Sequence, residues 1–165
     1  MSGSTHSNNH LILKKPGDGS VHSLIDTFKA VGGETIIFAF RKNLDNDLLK
    51  QLNSATKLVD APANIVFDFT GLVSLNRWAP PISSILDSHV IAGAQLPKGS
   101  VIVTIVRDQP EVVESTAFEE ISSRCNHAVS RLDIQSFREL DRAIKATRAE
   151  AEPKADKSND FIYTL

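Results

Sequence analysis

The chain has 165 residues, of which 41% are hydrophobic, and this suits one domain with a substantial core and polar extensions at its ends. Its formal net charge of -2 lacks the basic excess that nucleic-acid-binding proteins usually carry. A single cysteine cannot form an internal disulfide, and the sequence shows neither a signal-peptide core nor an apolar run of membrane-helix length. We therefore expect a cytoplasmic protein that binds no nucleic acid and does not insert into a membrane.

The first part of the chain predicts an arm, a short strand and a helix. Residues 1–10 offer almost nothing apolar to offset the entropy lost on ordering, so we expect a disordered arm. Leu11–Leu13 suits a short strand, Ser20 is a candidate helix N-cap, and Gly32-Gly33 ends the helix. The apolar residues at helical spacing between them are Val21, Leu24, Ile25 and Phe28. We assign residues 11–33 to an N-terminal extension that contains this helix.

Three later runs are rich in β-branched and aromatic residues and are apolar on both faces. They are Thr35–Phe40, Asn64–Phe69 and Val101–Val106. Strands of this kind are buried on both sides, as in parallel sheets covered by helices. A shorter strand is expected near Ala128–Leu132.

Amphipathic helices are predicted between the strands, over 44–59 and from Pro80 onward. Two sequences typical of capping boxes, Asp108 with Glu111 and Ser136 with Glu139, predict two further helix starts. The alternation indicates an α/β fold, with a small, mostly parallel sheet of about four to five strands covered by amphipathic helices. We place this domain at 34–152 and a flexible tail at 153–165.

Four features of the sequence resemble those of a known family, and they occur in the same order along the chain. Leu44-Asp45 lies between a buried strand and a helix start, where the family has Gly-Glu-Leu-Asp. Ile65–Leu72 is similar to its central strand, an apolar run that ends Asp-Leu-Ser-Gly-Val. Val101–Val106 follows at the expected distance, and Ser136–Ile144 is similar to its C-terminal helix. Residues from about 34 to 148 thus resemble the STAS domain (sulfate transporter and anti-sigma-factor antagonist).

The resemblance implies a STAS-like fold and a non-enzymatic regulatory role, as an anti-sigma-factor antagonist or stressosome scaffold. Such a module would dock another protein, for example a kinase-like anti-sigma factor, through the loop and helix at 74–86. Family members that switch partners carry a phosphorylatable Asp-Ser-Ser-Gly, or a Thr equivalent, after the central strand. This chain has Asn76-Arg77-Trp78-Ala79 there, so the resemblance implies the binding surface without its usual switch. The N-terminal helix is a second departure, since family members usually start with a strand pair.

The loop before the Pro80 helix contains four candidate partner-binding residues, Ser74, Asn76, Arg77 and Trp78. Loops after the carboxyl ends of parallel strands commonly bind ligands and partners. Exposed Trp and Arg are frequent interface hot spots. The alternative is that Trp78 packs in the core and Arg77 is merely solvated.

Three serines are candidate phosphorylation sites in place of the missing family motif: Ser74, Ser83 and Ser84. Ser83 and Ser84 fall in the first turn of the predicted helix, where the helix dipole favours a phosphate group. The alternative is that they are ordinary small polar residues near a helix start.

The residue types and their spacing give little support for catalysis or for a bound cofactor. The histidines are scattered, and His89 lies on an apolar helix stripe that favours a hydrogen-bonded core histidine. Cys125 lacks a nucleophile signature and is interpreted as a structural thiol. Asp45 and Asp68 are acidic residues near strand ends, and Asp68 is expected to accept hydrogen bonds from its own turn. We expect no catalytic residue, no metal and no cofactor.

Three functions remain open at this point. The first is the STAS-like regulatory module, and the second is a structural scaffold that forms a homo-oligomer through the same fold. The third is a small-ligand-binding or enzymatic α/β domain with a pocket at the strand ends. The apolar C-terminal residues 161–165 are either a docking peptide or a frayed end.

Overall fold

The computed structural model describes residues 5–41, 61–91 and 93–151. A 3-10 helix, Thr5–Asn8, comes first. The strands of the described ranges are β1 (Asn9–Lys14), β2 (Glu34–Arg41), β3 (Ala63–Gly71), β4 (Val90–Ile91), β5 (Ala94–Gln95), β6 (Val101–Arg107) and β7 (Val129–Ser130). The α-helices there are α1 (Ser20–Val31), α2 (Ala79–Ser88), α3 (Pro110–Val113), α4 (Thr116–Ser122) and α5 (Ile134–Ala151). None of these helices has the length and apolar character needed to cross a membrane.

Five strands form one parallel sheet in the order β2-β3-β6-β1-β7, while β4 and β5 form a separate antiparallel pair. The register aligns Ile65 with Ile36 on one side and with Ile102 on the other, and it aligns Ile12 with Ile105. The predicted α/β fold is confirmed. Every pairing in the large sheet is parallel.

Each inner strand contributes to two cores, because successive side chains point to opposite faces of a sheet. Leu11 packs in the core beneath α2, α3 and α4, which we call the first face. Ile12 packs in the core beneath α1 and α5, which we call the second face. Val101–Arg107 is apolar almost throughout because both of its faces are covered.

The N-terminal residues belong to the sheet. Asn9 and His10 are buried in β1, and β1 lies between β6 and β7. The predicted disordered arm over 1–10 is therefore wrong for residues 5–10. The boundary between an extension at 11–33 and a domain at 34–152 is also wrong, because β1 is an inner strand of the one sheet. The prediction failed because it relied on hydrophobicity. The polar side chains of β1 give no hydrophobic signal, but the fold supplies hydrogen-bond partners for them.

Two predicted capping boxes differ from the observed helix starts. Helix α5 begins at Ile134, and the Asp133 carboxylate accepts hydrogen bonds from the Ser136 backbone nitrogen at 3.2 Å and the Ser136 hydroxyl at 2.8 Å. Asp133, one turn earlier than predicted, therefore caps this helix. Helix α3 begins at Pro110, without a side-chain cap from Asp108 or another described residue.

Two predicted segments lie outside the described residues. They are the amphipathic helix over 44–59, with Asp45, and the tail at 153–165. Both stay predictions.

Candidate functional site at the carboxyl edge of the sheet

The chain leaves two neighbouring strands of the sheet toward opposite faces. After β1, residues 15–19 lead to α1 on the second face. After β6, residues 108–109 lead to α3 on the first face. Because β1 and β6 are adjacent, their departing loops open a crevice at the carboxyl ends of the strands. Such a topological switch point is the common ligand site of open parallel sheets.

A cavity of about 410 Å³ occupies this crevice, and we call it the switch-point cleft. Its lining residues are Lys14, Pro16, Thr70, Arg107, Asp108 and Gln109. They follow or end three strands, β1, β3 and β6. The cleft is therefore a product of the tertiary fold, assembled from segments far apart in sequence.

Two cationic side chains meet in the cleft. Lys14 and Arg107 are register partners at the last positions of β1 and β6. Arg107 Nε donates to the Thr70 carbonyl at 2.6 Å, and Lys14 Nζ donates to the Lys15 carbonyl at 3.3 Å. In the described part of the chain, neither cation forms an ion pair with a carboxylate. Two carboxylates are nevertheless close, since Asp108 lines the cleft and the positive charge of Lys14 acts on Asp18.

The walls of the cleft are held by hydrogen bonds between its loops. The Asp108 backbone nitrogen donates to the Lys14 carbonyl at 3.0 Å, and the Asp108 carboxylate lies 3.6 Å from Lys15 Nζ. The Asp18 carboxylate accepts from the backbone nitrogens of Lys15 and Ser20, both at 2.9 Å. Burial acts to raise the pKa of Asp18, but hydrogen bonds from the Ser20 hydroxyl and from these backbone nitrogens, together with the positive charge of Lys14, outweigh it, and the pKa falls below its ordinary value. The β1–α1 turn is therefore fixed by an ionised Asp18 at neutral pH.

Asp68, the acidic candidate at the end of β3, binds its own turn. Its Oδ1 accepts from the Thr70 backbone nitrogen at 2.9 Å and from the Thr70 hydroxyl at 2.6 Å. This is the local hydrogen bonding that the sequence predicted. Asp45, the other acidic candidate, lies outside the described residues.

A second cavity of about 410 Å³ adjoins the loop after β3, and we call it the loop pocket. It is lined by residues 71–74, Arg77, Trp78 and Arg107. Arg107 therefore borders both cavities. The predicted contact loop and the switch-point cleft form one continuous edge of the molecule.

Trp78 is a core residue, and its prediction as a partner contact is wrong. Its side chain is only 7% exposed, and its ring packs edge-to-face on Phe40 with a centroid distance of 4.9 Å. Trp78, Ile82 and Leu86 are spaced four residues apart, so they continue one buried helical stripe backward from α2. That spacing is the sequence signal that places Trp78 in the core.

The other predicted contact residues remain at the surface. Ser74, Asn76 and Arg77 are exposed, and the Arg77 guanidinium lies 5.0 Å from the centre of the Trp78 ring. A cation at this distance over an indole face is attracted by the ring electrons. The buried tryptophan therefore serves as a platform for an exposed arginine.

The three predicted phosphorylation sites differ in their solvent exposure. Ser74 and Ser84 are exposed, so both stay candidates. Ser83 is buried, and its hydroxyl has no hydrogen-bond partner in the part of the chain that the structure describes. The prediction for Ser83 is therefore corrected, because a dianionic phosphate group cannot enter an apolar core without a large desolvation cost.

His89 is a hydrogen-bonded core histidine, as predicted. Its Nε2 lies 2.7 Å from Asn9 Oδ1. Asn9 Nδ2 donates to the carbonyls of Leu86 and Arg124, so Asn9 Oδ1 is the acceptor and His89 Nε2 carries the proton. Burial, helped by the positive charge of His6, lowers the pKa of His89.

Cys125 and the remaining titratable groups offer no reactive cluster in the described residues. The Cys125 thiol donates to the Ile121 carbonyl at 3.4 Å, and burial raises its pKa to about 12. Such a thiol is a poor nucleophile, since the thiolate is the reactive form. No group of three or more His, Cys, Asp or Glu side chains in these residues could hold a metal ion.

Lys14 and Arg107 are the site residues that the sequence reasoning missed. Each is a charged residue directly after a predicted strand: the short strand Leu11–Leu13 for Lys14, and the buried strand Val101–Val106 for Arg107. The signal was present, but it becomes meaningful only when the two strands are known to be neighbours.

No protein-family model matches the chain, and neither a curated protein nor a solved structure is significantly similar to it. The STAS resemblance therefore stays a prediction from the residues quoted for it.

Proposed function

We propose that this chain is a non-enzymatic regulatory module that docks a partner protein through residues 71–78 and the start of α2. The role would be like that of an anti-sigma-factor antagonist, with a kinase-like anti-sigma factor as one class of partner. Binding occurs in this proposal without phosphorylation of Ser83, which is buried.

The observation that carries the proposal is the alternating burial of the loop. Leu72, Leu75 and Trp78 are buried and anchor it, while the residues between them face solvent. Among these, Val73 is 56% exposed, and Arg77 is positioned over the Trp78 ring. A loop held in one conformation loses little entropy on binding, which favours affinity. Exposed arginine and apolar side chains on such a loop suit a protein interface.

The state of the candidate reactive groups supports binding over catalysis. The Cys125 thiol is partly buried, with a raised pKa, and the Asp68 carboxylate accepts hydrogen bonds from its own turn. Catalysis by either group would require the loss of these native contacts.

A double variant, Val73→Ser with Arg77→Ala, tests the proposal against the wild type in quantitative affinity purification from the source cells. We expect a specific set of proteins on the wild type, and its loss on the double variant at unchanged melting temperature. Lys29→Ala, an exposed change on α1, is the matched control and should retain the set. Equal recovery on wild type and double variant would place docking elsewhere.

Self-association as a scaffold is the second candidate. Leu132 and Ile134 are 62% and 57% exposed and lie close together at the start of α5. Apolar surface of this kind is typical of interfaces between subunits. Light scattering after size exclusion, with Leu132→Ser and Ile134→Ser combined, distinguishes the candidates. A wild-type oligomer that dissociates in this variant supports the scaffold, and a monomer excludes it.

A further inference from the structure

We infer that the switch-point cleft binds the phosphate group of a small phosphomonoester, held between Lys14 and Arg107. This inference goes beyond partner docking and does not depend on it, because the residues that hold the phosphate are not those of the docking loop.

The charge arrangement is the first argument. Lys14 and Arg107 are directly opposite each other on neighbouring strands, which lie about 4.8 Å apart. Like charges in such a cross-strand position destabilise a sheet. A bound anion removes that repulsion. A phosphomonoester carries between about one and a half and two negative charges at neutral pH, and so matches two cations better than a single carboxylate does.

The orientation of the donors is the second argument. Because Arg107 Nε donates to the Thr70 carbonyl, the plane of the guanidinium group is fixed while its terminal nitrogens have no hydrogen-bond partner among the described residues. Lys14 Nζ uses one of its three N–H groups, on the Lys15 carbonyl. Both cations therefore have donors left for phosphate oxygens. Planar guanidinium forks and lysine ammonium groups are the usual phosphate ligands of proteins.

Neither of the two nearby carboxylates forms an ion pair with Lys14 or Arg107 in the described residues. Asp108 lines the cleft, but its carboxylate lies 3.6 Å from Lys15 Nζ, and Lys15 is not among the residues that line the cleft. The positive charge of Lys14 also acts on Asp18, whose carboxylate accepts hydrogen bonds from Lys15 and Ser20. The spare donors of Lys14 and Arg107 are therefore not taken by a carboxylate of the described residues.

The size of the cleft sets the ligand class. A volume of about 410 Å³ falls within the range of small-molecule sites and exceeds what a bare phosphate ion needs. Pro16, Thr70, Asp108 and Gln109 line the rest of the cavity and suit a small, uncharged organic group that carries hydroxyls. The position at a topological switch point is where open parallel sheets bind small ligands.

Titration of the full chain with inorganic phosphate, glycerol 3-phosphate and glycerol tests the inference, at constant ionic strength adjusted with sodium chloride. Nitrogen–proton correlation spectra report binding through the side-chain Nε–H signal of Arg107. We expect saturable shifts with both phosphates, tighter binding of glycerol 3-phosphate, and no shift with glycerol. Equal weak responses to phosphate and chloride would overturn the inference.

Lys14→Gln with Lys15→Gln is the decisive pair of variants. Each removes one positive charge from adjacent positions, but only Lys14 lines the cleft. We expect Lys14→Gln to weaken glycerol 3-phosphate binding at least about tenfold, since one charge-assisted hydrogen bond is lost. Lys15→Gln should weaken it by a clearly smaller factor, about threefold or less, because it removes no phosphate ligand and only leaves the half-buried Asp108 carboxylate without its partner. An equal loss in the two variants would mean that only the general field of the surface attracts phosphate.

Two further variants and a peptide titration test the assignment of the site and of its ligand. Arg107→Gln should also weaken binding, and the docking variant Val73→Ser with Arg77→Ala should leave it unchanged. A phosphoserine peptide supplies the same chemical group on a protein segment. If the peptide saturates the site and glycerol 3-phosphate does not, the small-molecule assignment is wrong.

Discussion

The two edges of the parallel sheet use the same kind of side chain in opposite ways. At the amino edge, Arg148 is only 5% exposed and donates to the Gly99 carbonyl at 3.2 Å, to the Gly32 carbonyl at 2.5 Å and to Asn64 Oδ1. At the carboxyl edge, Arg107 is half-buried, makes one hydrogen bond, and faces a cleft. The donors of Arg148 are used within the fold, whereas Arg107 retains donors that are available to a ligand.

The amino edge is also closed sterically around Arg148. A Cβ atom on Gly33 would lie 2.5 Å from the Pro62 carbonyl oxygen and 2.8 Å from an Arg148 nitrogen. Gly99 has a φ of 91°, and a Cβ there would lie 2.3 Å from the Ala151 methyl group. At these two glycines, the neighbouring backbone and side chains leave no space even for a methyl group.

The comparison indicates how a structural cation differs from a functional one. The difference is whether the hydrogen-bond donors of the side chain are paired with acceptors within the protein. A buried cation whose donors all reach protein acceptors stabilises the fold, because leaving any of them unpaired would be costly. A half-buried cation with spare donors contributes little to stability and is available for binding. Four predictions test this division, beginning with the largest expected effect.

Trp78→Ala should lower the free energy of unfolding by about 3–5 kcal/mol, because it removes a buried aromatic side chain from the carboxyl-edge core. Urea denaturation followed by circular dichroism measures the change. Arg77→Ala, one position earlier and exposed, should cost less than about 1 kcal/mol. Similar losses in the two variants would show that Trp78 is not a core anchor.

Arg148→Met should cost about 3 kcal/mol, since it leaves several buried carbonyl oxygens without donors while keeping the side-chain volume. Arg142→Ala lies on the exposed side of the same helix and is the control. Urea denaturation followed by circular dichroism measures the loss of stability in both variants. A loss below that of the control would contradict a structural role for the amino-edge arginine.

His10 should make the protein acid-sensitive. Burial lowers its pKa from the ordinary value of 6.5 to about 4, and its Nε2 has no hydrogen-bond partner among the described residues. The unfolded chain therefore binds a proton more readily than the folded one, and stability falls as the pH drops from 6.5 toward 4. Between pH 7 and pH 5 this histidine should account for about 2 kcal/mol of lost stability.

His10→Leu should flatten this pH dependence, measured as unfolding free energy at a series of pH values. His89, whose pKa is also lowered mainly by burial, should retain part of the slope. His22→Ala, at a highly exposed position, serves as the control and should follow the wild type. If His10→Leu also follows the wild type, the acid sensitivity has another source.

Arg107→Met should change the unfolding free energy by less than about 1 kcal/mol, because a single hydrogen bond to Thr70 is lost while repulsion with Lys14 is relieved. Placed beside Arg148→Met, it gives the sharpest contrast between the two edges. A cost equal to that of Arg148→Met would make the carboxyl-edge arginine a structural residue.

Much of the fold was predictable because it rests on local and periodic signals. The runs at Thr35–Phe40, Asn64–Phe69 and Val101–Val106 are apolar on both faces, which is typical of a parallel sheet covered by helices, although Ile37 in the edge strand β2 is 46% exposed. Asp68 was also predictable, since its hydrogen bonds lie within its own turn. Polar Asn9 and His10 misled the prediction, because their stabilising partners lie on segments distant in sequence.

By itself the sequence determined the buried strands, most helix positions and the hydrogen-bonded His89, because hydrophobic period and turn chemistry act over a few residues. Only the tertiary structure decided that β1 lies between β6 and β7 and that Lys14 faces Arg107 across a cleft. Strand order sets which loops diverge and which charges meet. That order depends on the packing of both faces at once, which no local pattern encodes.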